Sequence, residues 1–167
     1  MRSGRPLAAG RRSGPCGRHP RPPLGRDADL ARLRRDFSRA VVTAPHKQAA
    51  RLRRLLHEAL REQGFTLVSA VHPEARRERD VLVGAGNLIF ADVSLAAGCL
   101  LGDHVHVGEG SHLGAGVIVE EGAHLGREVR VEAGLRLEKN IFVPDSVHLT
   151  RQTLPLYVAG GAREDRA

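Results

Sequence analysis

Aromatic residues make up only 3% of this 167-residue chain, with no Trp, one Tyr and four Phe, which excludes a core built around large rings. Cysteine is equally scarce. Cys16 and Cys99 stand far apart in different kinds of sequence, so neither a disulfide framework nor a four-cysteine zinc site is expected, and a reducing compartment fits. No run approaches the roughly 18 apolar residues of a membrane span, and no apolar stretch follows the N-terminal arginines, so neither a transmembrane helix nor a secretory signal is expected. The expected location is the cytoplasm. Acid is missing from one place in particular: residues 1–26 hold seven Arg and no Asp or Glu, which accounts for the whole net charge of +7 and leaves 19 basic against 19 acidic groups elsewhere. The rest of the chain is electrically balanced, and its length suits one domain with an appendage.

Residues 1–28 are rich in Arg, Pro and Gly and carry no apolar period. Such a segment cannot bury enough surface to offset its ordering entropy, so it reads as a disordered basic tail. It could hold phosphates without selectivity, but nucleic acid is not the expected partner of a chain that is neutral outside this tail. Residues 29–80 read as a partial α/β unit. Arg39 to Ala44 suits a buried strand, Pro45 can open a helix, and Leu52, Leu55, Leu56, Ala59 and Leu60 recur at helical spacing up to a C-cap glycine, Gly64. A second strand is expected over Phe65 to Val71. This unit is too small to stand alone.

From Val81 the period becomes six. Every sixth residue from Val83 to Leu149 is Leu, Val or Ile, twelve in succession, and Gly follows at 84, 102, 108, 114 and 126. Two residues before these aliphatics stand mostly small or β-branched residues, among them Val93, Cys99, Val105 and Ser111, as a second inward position requires. No α-helix keeps a strict period of six on one face. A parallel β-helix does, because each hexad supplies a short strand and a corner, and three hexads close one coil. The fold class is therefore mainly β: a parallel β-helix of about four coils over 81–154, with a C-terminal exit segment over 155–167. Both coil ends need cover, which the α/β unit and the exit segment can provide.

The hexads LGDHVH, VGEGSH, LGAGVI and LGREVR resemble the repeat of left-handed β-helix acyltransferases. The order of parts is most similar to bacterial sugar acetyltransferases of the sialic acid O-acetyltransferase and bacillosamine N-acetyltransferase type, N-terminally shortened. Gly64-Phe65 through His72-Pro73-Glu74-Ala75 resembles the phrase that joins their nucleotide-sugar domain to the β-helix. GNLIFADVSL (86–95) fits their first full coil, and LTRQTLPLYVAGGAR (149–163) resembles the segment that lies along their acetyl-CoA site. The resemblance implies a left-handed homotrimer, acetyl-CoA as co-substrate with Gly160, Gly161, Ala162 and Arg163 beside it, and an amino or hydroxyl acceptor on a sugar or nucleotide-sugar. Three departures stand out. The Gly-rich first loop has no counterpart, the exit motif lacks its proline, and the catalytic Glu-His-Asp/Glu triplet falls on Gly114-Ala115-Gly116 or Glu120-Glu121-Gly122. A catalytically silent scaffold derived from that family is the alternative reading.

Acetyl transfer needs a base near the acceptor, usually His. Phase counting puts His106 and His124 in one outward column with Leu88 and Phe142, and His112 and His148 in a second with Ser94 and Arg130. A third column, of Leu100, Ile118, Arg136 and Leu154, is the expected buried or subunit-contact face. His104 falls at a corner beside Glu121, which stacks over Asp103 about one inter-strand spacing away. His104 with Glu121 is the first candidate base and orienting carboxylate, and His112 the second. A zinc site of the γ-carbonic anhydrase kind lacks a third ligand of suitable phase, so no metal is expected.

Overall fold

The computed structural model describes residues 26–43 and 49–160. The basic tail falls almost wholly outside them, as do Cys16, Pro45 and the exit residues Gly161, Ala162 and Arg163. A short helix, α1 (Leu30–Leu33), leads to strand β1 (Arg39–Ala40), then helix α2 (Ala49–Glu62) and β2 (Thr66–Leu67), which pairs in parallel with β1. Gly64 turns the chain out of α2 at φ +80°, a conformation that glycine adopts without strain. Fourteen two-residue strands follow, β3 (Ala70–Val71) to β16 (His148–Leu149), one every six residues. Each pairs in parallel with the strand 18 residues away, so that Leu113, for instance, lies between Leu95 and Val131. Three sheets result, and the chain visits them in turn to form a β-solenoid of more than four coils.

The aliphatics at period six point inward and stack. Leu95, Leu113, Leu125, Leu137 and Leu149 are fully buried, and Val93, Val105, Val117 and Val129 fill the second inward column. Where that second position is polar it ties the coils together. The Ser111 hydroxyl donates to the Gly126 carbonyl at 3.0 Å and accepts the Val129 N–H at 3.1 Å. Asn87 does the same one and a third coils earlier, donating to Gly102 O at 2.9 Å and accepting Val105 N–H at 2.6 Å, and Ser69 repeats the pattern on Gly84 and Asn87. These contacts satisfy buried backbone groups that the ladders leave over. After the last coil, α3 (Leu154–Gly160) lays Leu154 and Tyr157 against the solenoid core.

Several sequence expectations need correction. The stretch 65–71 is two strands, because Ser69 turns inward between them and Ala70–Val71 already pairs with Leu88–Ile89. The solenoid thus begins at Ala70, and its next rung, Arg76–Arg77, lies exposed. On α2, Leu52 and Leu55 are about half exposed. The docked side instead carries the buried Arg53, His57 and Leu60, spaced by four and three residues, because His57 stacks on His104 of the solenoid while Leu60 joins Val42, Phe65 and Leu67. The third outward column comprises Leu82, Leu100, Ile118 and Arg136. Leu154 belongs to α3, and Leu82 remains 66% exposed in the single chain. The outward column that the chain does bury is the first, with Leu88, His106 and His124 all below one-tenth exposure.

Candidate active site

His104 occupies a corner between the third and first sheets with φ +61°, a left-handed conformation that a β-carbon makes costly by about 1 kcal/mol. The equivalent corner one coil earlier is Gly86, and a β-carbon there would come within 2.6 Å of His104 Nδ1. The imidazole therefore leans over the glycine, where it stacks on His57 of α2 with ring centroids 3.6 Å apart. Arg61, one turn along α2, reaches Asp103 beside it at 3.4 Å. Burial, followed by the Arg61 charge, holds His104 below the usual imidazole range, and Asp103 and Glu121 pull weakly the other way. Burial and the His104 and arginine charges push His57 down to about 4.

Glu121 lies one coil beyond, above Asp103, as the hexad phase requires: Gly122 N–H donates to Asp103 O at 2.9 Å. Its carboxylate turns onward to Lys139, 3.7 Å away. His104 leans toward the preceding coil and Glu121 toward the following one, and the structure forms no hydrogen bond between them. The first face continues the imidazole stack. His106 and His124 lie 4.2 Å apart, flanked by Phe90 at 4.9 Å and Phe142 at 5.2 Å. Burial, with the His124 and Arg53 charges, pushes His106 down to about 3.

His112 stands elsewhere, exposed on the second face and in register with Ser94 and Arg130; His148 follows Arg130 in the same column. Next to this column an open groove of about 540 Å³ is lined by Gly110, Glu128, Arg130, Ser146, Val147 and His148. A guanidinium between two imidazoles can hold an anionic group. Burial disfavours the charged form of His57, His104 and His106. Of the exit residues, Gly160 ends α3, and Gly161, Ala162 and Arg163 lie outside the described residues. Cys99 is a free, buried thiol whose Sγ approaches Gly114 O at 3.2 Å, and burial pushes its pKa up. That makes it a core residue rather than a nucleophile. Among the described residues no group of three or more His, Cys, Asp or Glu could hold a metal ion, and no helix is long and apolar enough to cross a membrane.

Sequence reasoning did not find Arg53 and His57, because a guanidinium and an imidazole within a leucine-rich helix look like its wet side. It placed Arg130 and His148 in the right column but could not see the groove, which forms between corners 18 residues apart.

No protein-family profile matches the chain, and no curated protein matches it. Among solved structures, PerB from Caulobacter crescentus, in complex with CoA and GDP-perosamine, is 30% identical over 76% of this chain and 74% of its own, with a TM-score of 0.44. The acetyltransferase domain of PglB from Neisseria gonorrhoeae, in complex with acetyl coenzyme A, is 19% identical over 84% of this chain and 82% of its own, with a TM-score of 0.45. The solenoid of this chain is given by its own strand register.

Proposed function

We propose that this chain is an acetyl-CoA-dependent acetyltransferase of the left-handed β-helix kind, acting as a cytoplasmic homotrimer on an amino or hydroxyl group of a sugar or nucleotide-sugar. The observation that carries the reading is the open groove beside the His112, Arg130 and His148 column, on a chain whose residues 149–163 read LTRQTLPLYVAGGAR. Arg130 supplies charge for the pyrophosphate of the co-substrate, and Gly160, Gly161, Ala162 and Arg163 are the residues that the family resemblance assigns to it. His112 serves as the base. It accepts the proton of the acceptor amine or hydroxyl as that atom bonds to the thioester carbonyl carbon; the C–S bond breaks, and the CoA thiolate leaves and is protonated. His104 with Glu121 is the second candidate pair. Exposure favours His112, since an acceptor would reach the His104 ring only if His57 moved aside.

A second reading, a β-helix scaffold without chemistry, is favoured by the residues at the triplet positions, Gly114-Ala115-Gly116 and Glu120-Glu121-Gly122, which contain no histidine. The experiment that separates the two is thiol release from acetyl-CoA in the presence of a panel of amino sugars, free and nucleotide-linked. Acceptor-dependent release, reduced about 100-fold or more by His112→Ala, is the expected result. No release with any acceptor, or release that His112→Ala leaves intact, would move the assignment to the scaffold or to His104.

A further inference from the structure

Helix α2 meets the solenoid through rings rather than through its leucines. His57 is 2% exposed and His104 8% exposed, their rings stacked nearly parallel. Neither nitrogen of His57 has a hydrogen-bond partner among the described residues, nor has Nδ1 of His104 or of His106. Imidazoles without acceptors can pack this way only when neutral. The charged groups that face them are Arg53 and Arg61 from α2 and Asp103 and Glu121 from the corners, with the imidazoles of His106 and His124 on the sheet. Asp103 is already engaged by Arg61, and Glu121 by Lys139. A proton arriving on this stack would find no free carboxylate to compensate it.

We propose that the stacked His57 and His104 form an acid-sensitive latch that holds α2 on the solenoid when neutral and releases it when protonated. Release would uncover the His104 ring, while the coils themselves, whose interior is aliphatic, stay intact. The latch stands on its own geometry whichever base serves: His57 has no part in the proposed acetyl transfer, and His104 is only its second candidate base.

The test is hydrogen exchange of the full chain at pH 7.5 and 4.5, corrected for the intrinsic exchange rate. With His57 held near 4 when docked and near 6.5 when free, the opening constant of α2 rises by at least about 70-fold over that interval. The expected result is that amides of Ala49–Glu62 lose protection by that factor, that the coils between Val93 and Leu137 keep theirs, and that His57→Phe, which keeps a ring for stacking, reduces the change at least ten-fold. Unchanged α2 protection, simultaneous loss of protection in α2 and the coils, or an identical response in His57→Phe would overturn the proposal. Should His57→Phe not fold, the ring titration of His57 in the unaltered protein, followed by ¹³C NMR, decides: a midpoint well below 5.5 supports the latch, and one near 6.5 ends it.

Discussion

Adding one methyl group at Gly108 or at Gly116 separates two consequences of coil stacking. Gly108 follows an inward valine, and a β-carbon on it would overlap the Gly126 carbonyl oxygen in the next coil, with Arg127 N at 2.7 Å, against roughly 3.5 Å for an ordinary contact. That neighbour cannot retreat freely. The Gly126 carbonyl accepts the Ser111 hydroxyl at 3.0 Å, and the Gly126 N–H is held by Val143 O at 2.9 Å. Overpacking of this kind costs about 1–3 kcal/mol, and losing the Ser111 bond adds about 1 kcal/mol, so Gly108→Ala should destabilise by about 3 kcal/mol. Gly116 has φ +66° and no atom within 4 Å of an added β-carbon. Its cost is conformational only, about 1 kcal/mol, and comparable corners already carry Asp92, Glu128 and Ser146. Urea unfolding followed by far-UV circular dichroism should show a midpoint drop for Gly108→Ala about three times that for Gly116→Ala. A larger loss for Gly116→Ala, or a Gly108→Ala protein within 1 kcal/mol of the parent, would refute the coil register on which the whole description rests.

Core, seams and interface carry further expectations. Leu113→Ala, at a fully buried site between Leu95 and Val131, should cost about 2–5 kcal/mol, whereas Leu100→Ala, on the partly exposed third face, should cost less than half as much in the same urea assay. Ser111→Ala removes the partner of Gly126 O and Val129 N–H inside the solenoid and should cost about 1–3 kcal/mol; a neutral result would mean the hydroxyl does not stitch the coils. Because the native pKa of His57 lies near 4, below its unfolded value of about 6.5, the unfolded state binds the proton first as pH falls. Stability is then complete above about pH 6.5 and declines toward pH 4, by roughly 3 kcal/mol from His57 alone. Unfolding midpoints recorded at pH 7.5, 5.5 and 4.5 check the sign, and a stability that rises as pH falls would contradict the neutral stack.

The solenoid could be read from the hexads because its core is local: each aliphatic packs on the residue 18 positions away in identical phase, so one column of Leu, Val and Ile carries the register from Val83 to Leu149. Its start was obscured at the first coil, where the inward phase falls on Arg77, a charge that position tolerates because it lies exposed. Faces were harder than phases. Phase counting could place His106 outward but not reveal that it is buried, since Arg53 and His57 approach from a helix some 50 residues earlier. For the same reason the corner pairing of His104 with Glu121, sound in register, gave way to a stack on His57. The open column of His112, Arg130 and His148 needed no distant partner, and its register was legible.

The reading of this protein as an acetyltransferase is tested most directly by calorimetric titration of the full chain with acetyl-CoA, in parallel with an Arg130→Ala variant. The account predicts saturable binding at micromolar affinity, weakened about ten-fold or more when the guanidinium beside the groove is removed. No heat of binding at millimolar acetyl-CoA, or an affinity indifferent to Arg130, would contradict the assignment of that groove to the co-substrate.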